Sequence, residues 1–298
     1  VAISDPRVTT STMAGGQDRP PLQPFSSLLV SLESIKVNLM IRLSVGFLIY
    51  YNPKSWHRII LISVHGGPIM KLSVVSYNIK HGLGIGGKVS LKTIASTIAS
   101  TGADIAGLQE VDYLRPRSGF MIQSRKLGQM LSMQSVFGPT IKCFGLPRFG
   151  NAILSKFPVS GWVNYQLPSK WEKRCLLKVK IKAENKDIAF FCVHLGLNQL
   201  ERIKQVNKII EYAWEEPGPL ILVGDFNARP DSDEIKKIKT LFRPVDPEGL
   251  WPTFPANKPE HKIDYIFYSA HWKLIKPFLI NSQASDHLPL GAEFELNY

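Results

Sequence analysis

Cysteine is scarce in this chain: Cys143, Cys175 and Cys192 are the only three among 298 residues. An odd count, with two of the three inside strand-like runs, argues against a disulfide framework and for a reducing compartment, expected to be the cytoplasm. No CxxC pair and no Cys/His zinc spacing occurs. Long clean apolar runs are missing too. The longest in the N-terminal region, Leu43 to Tyr51, falls short of the roughly 20 residues that a membrane-spanning helix needs. There is no internal repeat and no long low-complexity tract. Acidic residues are under-represented, 24 against 36 Lys and Arg, for a formal net charge of +12. That balance favours a polyanionic partner, nucleic acid or an anionic lipid surface, and bears on association rather than fold. What the chain does have is 44% hydrophobic residues, enough to bury one large core or two modest ones, which excludes disorder of the whole.

Residues 1 to 69 differ in character from the rest of the chain. They open on a Ser/Thr/Pro/Gly-rich stretch without an initiating Met and continue as "SSLLVSLESIKVNLMIRLSVGFLIYY", apolar but broken by Glu33, Lys36 and Arg42. A signal peptide fits poorly because the apolar region is not N-terminal. An interfacial anchor is the alternative. "HGGPIM" ends at Met70, and its glycine pair could be written by a purine-rich ribosome-binding sequence. Met70 is therefore expected to be the natural start, with residues 1–69 translated upstream sequence or a poorly ordered extension. Six of the cations and three of the acids precede Lys71, leaving +9 for the remainder.

From Lys71 onward, strand-like runs end repeatedly in polar residues. "KLSVVSYNIKHG" places a strand before Asn78, and "GADIAGLQEVD" runs out at Gln109, Glu110 and Asp112. "GNAILSKFPV" comes after Arg148, "IAFFCVHLGLN" ends at His194, "HKIDYIFYS" carries Asp264, and "SDHLPLGAEFEL" puts Asp286 and His287 before a last strand. In "LILVGDFNARP" a buried strand delivers Asp225 and Asn227, which share a face if extended geometry persists, because strand side chains alternate. A turn-forming Asp225 and a helix-capping Asn227 are the alternative. In "LLKVKIK" the alternation with Lys178, Lys180 and Lys182 reads as a strand with one wet face. Between strands, Leu91, Ile94, Ala95, Ile98 and Ala99 fall on one face of an amphipathic helix, and Leu200, Ile203, Val206 and Ile210 on one side of another. Interleaved strands and helices define an α/β protein. Strand ends gathered at one rim would build an oxygen-rich cleft of the kind hard divalent cations prefer.

The segments "SYNIKHG", "GLQEVD", "GNAILSKFPV", "VHLGLN", "VGDFNARP", "KIDYIFYS" and "SDHLP", in that order, resemble the endonuclease/exonuclease/phosphatase superfamily. The resemblance spans Leu72 to Phe294 and is nearest to its small bacterial metal-dependent hydrolases, which in turn resemble domains that remodel GPI-anchor lipids. It implies a four-layer α/β sandwich, two mixed sheets flanked by helices as in DNase I, over residues 70–298. It also implies a Mg²⁺- or Mn²⁺-dependent phosphoesterase acting on phosphodiesters. Carried over residue by residue, Glu110 would be the principal metal carboxylate and Asn78 would position metal and phosphate. Asp225 would orient or deprotonate the attacking water, and Asn227 would hold the phosphate or that aspartate. His194 would lie against the scissile phosphate, Asp286 would reach a metal, and His287 would act as general acid/base with Asp264 fixing its tautomer.

Other polar residues carry less. Arg148 and Asn151 are expected as phosphate contacts, with a surface cation and a strand-start residue as the alternative. Arg202 and Gln205 read as helix-surface or helix-packing groups. "GLGIGG", Gly82 to Gly87, lacks the Lys-Ser/Thr of a phosphate-binding loop and reads as a loop beside the cleft. One departure matters: AP endonucleases place an Asp two residues after the first Asn, and this chain has Lys80 there. The substrate is open among nucleic acid, placed first, a lipid headgroup and a small phosphodiester. A silent anion-binding module is the competing class. A monomer without an obligate protein partner is expected.

Overall fold

The computed structural model describes residues 40–42, 47–50, 60–63, 70–143, 146–183 and 186–296. Contacts divide the chain into two units, Val1–Gly67 and Pro68–Tyr298. In the first, β1 (Met40–Arg42), β2 (Phe47–Tyr50) and β3 (Ile60–Ser63) form an antiparallel meander. The rest of residues 1–69, on which the expected upstream origin bears, lies outside the described residues.

The second unit alternates strands and helices. Its first half runs β4 (Lys71–Asn78), α1 (Leu91–Ser100), β5 (Ile105–Asp112), α2 (Gln123–Leu131), β6 (Gln134–Cys143) and β7 (Leu146–Ser155). Next come β8 (Val159–Leu167), β9 (Arg174–Ala183), β10 (Lys186–His194), α3 (Gln199–Trp214), β11 (Leu220–Asp225) and α4 (Asp233–Ile238). The last strands are β12 (Arg243–Pro244), β13 (Asp264–Tyr268), β14 (Trp272–Leu279) and β15 (Leu290–Leu296). They assemble as two six-stranded mixed sheets, ordered β14-β15-β4-β5-β7-β6 and β12-β13-β11-β10-β9-β8.

Period-two alternation turns each strand into a partition. Leu72, Val74, Ile105 and Ile153 of the first sheet meet Val179, Phe190, Ile221, Val223 and Ile266 of the second in one core. Val75, Tyr77, Ala106 and Leu108 point the other way, onto Leu91, Ile94 and Ile98 of α1 and Leu127 of α2. On the far side, Phe191, Val193, Leu222 and Phe267 meet Val206 and Ile209 of α3 and Ile235 and Ile238 of α4. The result is four layers, helices outside and sheets within. Helix α1 starts where the Ser90 side chain accepts from Thr93 N at 3.2 Å. Among the described residues no helix is long and apolar enough to cross a membrane.

Two local expectations shift. The buried face of α3 is Arg202, Gln205, Val206, Ile209 and Ala213, while Leu200 is exposed. The helix is rotated because its buried polar groups have partners: Arg202 Nε donates to Glu234 Oε1 of α4 at 2.5 Å, and Gln205 accepts from Gly196 N at 2.9 Å. On β9, Lys178 is buried rather than wet, with Glu216 as its ion-pair partner, whereas Lys180 and Lys182 are exposed.

The two sheets pack tightly at Gly107 of β5, where a Cβ would collide with Val223 and lie 3.3 Å from Phe190. Gly107→Ala is expected to destabilise the fold by about 1–3 kcal/mol through overpacking, read as a lower urea midpoint at unchanged m-value.

Candidate active site

The same alternation that fills the inter-sheet core supplies the site. Continuing Leu72 and Val74 by twos along β4 reaches Asn78, and continuing Phe190 and Cys192 along β10 reaches His194. Ile221 and Val223 on β11 lead to Asp225, and Ile266 on β13 leads back to Asp264. Backbone register sets them side by side: His194 pairs with Asp225, and Asp225 with Asp264. Polar groups thus take over where the apolar core reaches its edge.

Glu110 arrives by a different device. The β5–β7 ladder slips between Leu108 and Val111, and Glu110 sits at φ 57° inside that bulge, which re-aims its side chain. Asn227 also takes a left-handed backbone, φ 48°, and its N–H donates to Asp225 Oδ1 at 2.9 Å, an Asx-type turn. Its side chain then donates to Leu195 O at 3.0 Å.

A cavity of about 530 Å³ opens over these groups, lined among others by Glu110, Arg174, His194, Asp225, Asp286 and His287. Asp225 is its hub. Asn78 Nδ2 donates to Asp225 Oδ2 at 3.0 Å and to Glu110 Oε1 at 3.1 Å, while Nε2 of His194 and Nε2 of His287 lie 3.5 Å and 3.8 Å from Asp225 Oδ2. Burial, and next the Asp264 carboxylate alongside, push the Asp225 acid well above the ordinary carboxylate range. His287 is also buried, which alone would favour its neutral form. The Asp264 carboxylate, 2.8 Å from Nδ1, outweighs this and raises His287 to about 10. His287 is therefore an imidazolium near neutrality, donating Nδ1–H to Asp264 and presenting Nε2–H to the cavity.

His194 is the opposite case. Burial, the neighbouring Arg174 and the charge on His287 hold it well below the usual imidazole range, so it is neutral. Arg174 Nη1 stands 3.3 Å from His194 Nδ1. A guanidinium has only donors, so Nδ1 must accept and the ring proton resides on Nε2, facing Asp225. No motif in the sequence marks Arg174, although it opens the strand antiparallel to the one ending at His194. It is 3% exposed, and its Nη2 meets Glu172 Oε2 at 3.0 Å.

Oxygen donors suit a hard cation at one end of this cavity. Glu110 lines the cavity, and its Oε1 accepts from Asn78 Nδ2 at 3.1 Å. Asp286 is differently placed. Lys80 Nζ, in a residue with φ 42°, donates to Asp286 Oδ2 at 2.7 Å, so an ammonium already neutralises that acid. Asp225, Asp264 and His287 also bring ligand-type atoms within 4.8 Å of one another. Within this trio the hydrogen bond joins His287 Nδ1 to Asp264 Oδ2 at 2.8 Å, and His287 Nε2 lies 3.8 Å from Asp225 Oδ2. Neither Arg148 nor Asn151 lines the cavity: Arg148 Nη1 donates to Leu114 O at 2.7 Å, and buried Asn151 donates to Cys175 O at 3.2 Å, joining the two sheets behind the site. Arg115 and Arg117 line it instead, Arg117 clamped on Asp112 by bonds of 2.8 and 2.7 Å.

A two-sheet α/β sandwich with His and Asp residues converging at the sheet ends defines a DNase I-like hydrolase fold. The sequence profile of the Endonuclease/Exonuclease/phosphatase family matches residues 75–287, and the chain belongs to that family. Its members are hydrolases of phosphoester bonds and generally use divalent metals. The uncharacterised protein YbhP of Escherichia coli K12 is 31% identical over 159 residues, 49% of this chain and 63% of that protein, so the chain spans less than two thirds of this relative. An endonuclease/exonuclease/phosphatase structure from Beutenbergia cavernae superposes with a TM-score of 0.67 at 22% identity, covering 76% of this chain and 72% of that one. A mannosyl-6-phosphatase from Bacteroides thetaiotaomicron does so with a TM-score of 0.64 at 20% identity, covering 75% and 99%. At these identities the likeness is one of fold.

Side-chain ¹⁵N–¹H correlation spectra of the imidazoles check the His194 assignment. Wild type is expected to show the Nε2–H tautomer, and Arg174→Met to show a mixture; an Nδ1–H tautomer in wild type would exclude it.

Proposed function

We propose that the protein is a divalent-metal-dependent phosphodiesterase, with nucleic acid as the first substrate class and a lipid headgroup diester as the second. The observation that carries this reading is Asp225, a buried carboxylate of raised pKa set between the Nε2 atoms of a neutral and a protonated histidine. An anion-binding module would have no use for an acid at the centre of its cavity.

Mg²⁺ or Mn²⁺ would be held by Glu110, with Asn78 orienting that carboxylate, and supplies Lewis acidity toward phosphate oxygens when bound. The charge on Lys80 favours one ion here over a second at Asp286. In the proposed reaction Asp225, ionised, takes a proton from water as its oxygen bonds to phosphorus. The bond from phosphorus to the leaving oxygen breaks, and His287 Nε2–H delivers a proton to that oxygen. His194 Nε2–H donates to a phosphate oxygen or to Asp225, Asn78 Nδ2–H holds Asp225 and Glu110 in place, and Asn227 fixes the Asp225 rotamer. Arg115 and Arg117 offset phosphate charge at the cavity wall.

Bis(4-nitrophenyl) phosphate should be hydrolysed, the activity lost with EDTA and restored by Mg²⁺ or Mn²⁺. Glu110→Ala should abolish the metal-dependent rate, and His287→Ala should lower turnover by about 10²–10⁴-fold; wild-type rates in either folded variant would remove that residue from the mechanism. The pH profile of kcat/KM should be a bell. It rises as Asp225 loses its proton, above the ordinary carboxylate range, and falls as His287 loses its own near 10. Because the Asp264 charge raises both groups, Asp264→Asn should move both limbs to lower pH. Limbs that stay in place would contradict the Asp264–His287 assignment.

A further inference from the structure

Phe254 is a large apolar residue, yet it belongs to none of the three apolar clusters of this unit. Its ring partners are two histidines instead. The His287 ring centroid lies 4.8 Å away at an interplanar angle of 44°, and the His261 centroid 6.5 Å away at 23°. Phe254 also lines the cavity, among acids and cations. Burial of apolar surface in the core does not account for an aromatic ring placed there.

The chain that carries this ring is fixed. Phe254 and His261 bridge each other in the connection between β12 and β13: Phe254 N donates to His261 O at 3.1 Å, and Phe254 O accepts from His261 N at 2.8 Å. Residues on either side of Phe254 bind residues on either side of His287. Leu288 N donates to Thr253 O at 2.8 Å, and Ala256 N donates to Asp286 O at 2.7 Å. Thr253 Oγ1 in turn accepts from Asp264 N at 3.4 Å. One loop thus grips both members of the His287–Asp264 pair.

That pair needs holding. Asp264 is 1% exposed, and its Oδ1 has no hydrogen-bond partner among the described residues, so its carboxylate relies on the bond that His287 Nδ1 donates to Oδ2 at 2.8 Å. A single bond at Nδ1 leaves the imidazole free to swing about it. A surface packed on the ring removes that freedom and keeps Nε2 facing the cavity, where the geometry of proton transfer is exacting. An aromatic ring suits the task better than an aliphatic side chain, because a cation within about 6 Å of its centroid is attracted by the ring quadrupole.

We propose that Phe254 is a positioning residue for His287: its ring holds the imidazole on the Asp264 bond and aims Nε2–H at the leaving oxygen. The inference rests on the phosphodiesterase reading and deepens it, because Phe254 acts through the acid and not on the substrate.

Leaving groups of different basicity test it on the Mg²⁺-loaded enzyme. Diphenyl phosphate releases a more basic phenolate than bis(4-nitrophenyl) phosphate does, and so depends more on the proton from His287. Phe254→Leu should lower kcat and kcat/KM for diphenyl phosphate by the same factor, about 5–30-fold, and slow bis(4-nitrophenyl) phosphate less. Phe254→Tyr, which keeps the ring, should retain most of the rate. Equal slowing of both esters, a change confined to KM, or a Phe254→Tyr enzyme as slow as Phe254→Leu would overturn the proposal. If wild type turns over neither ester, the phosphodiesterase reading fails, and the positioning role is then judged by ¹H NMR alone. The His287 Nδ1–H proton, identified by its loss in His287→Gln, should exchange with water about tenfold faster in Phe254→Leu than in wild type, and at nearly the wild-type rate in Phe254→Tyr. Unchanged exchange in Phe254→Leu would overturn the proposal, and Phe254→Met takes its place in both measurements if Phe254→Leu does not fold.

Discussion

Face-to-face stacking of two mixed sheets is the constraint on which the rest depends. It makes every inward position along β4, β10, β11 and β13 either core or, at the strand's end, wall of the candidate site. Val223 and Asp225 are successive inward positions of one strand, and so are Cys192 and His194. A one-residue slip in register would exchange the catalytic candidates for Phe226 or Val193, which face the helices. Fold and site are therefore specified by the same alternation, and at Gly107 the sheets pack too tightly to admit a Cβ.

Electrostatics then separates groups of one kind. Two buried histidines face one carboxylate, yet Asp264 keeps His287 charged while Arg174 helps keep His194 neutral. Arg174 also decides which nitrogen of His194 carries the proton. The site thus contains a proton acceptor, a proton donor and a fixed hydrogen-bond donor within a few ångströms, without requiring three residue types.

Much of this is legible in the sequence, for a physical reason: Asn78, His194, Asp225 and Asp264 end apolar strands whose inward parity can be counted. Glu110 is legible only through resemblance, because a bulge with positive φ breaks the parity that would otherwise place it. Arg174 acts through His194 and no local pattern marks it, whereas Lys80 stands out only as a departure from a motif, its partner Asp286 being distant in sequence. Asn151 fits the motif but is spent on joining β7 to β9. Amphipathic counting misplaces the face of α3 because it assumes apolar burial, and here a buried Arg and Gln hold the loop after β10.

In the proposed reaction water adds to phosphorus at a site organised by Asp225. Hydrolysis of bis(4-nitrophenyl) phosphate by the Mg²⁺-loaded protein in H₂¹⁸O, with mass spectrometry of both products, tests it most directly. One ¹⁸O per turnover is expected in 4-nitrophenyl phosphate and none in 4-nitrophenol, with turnover and labelling both lost in Asp225→Ala. Label in the phenol, or label incorporation that survives Asp225→Ala at the wild-type rate, would contradict it.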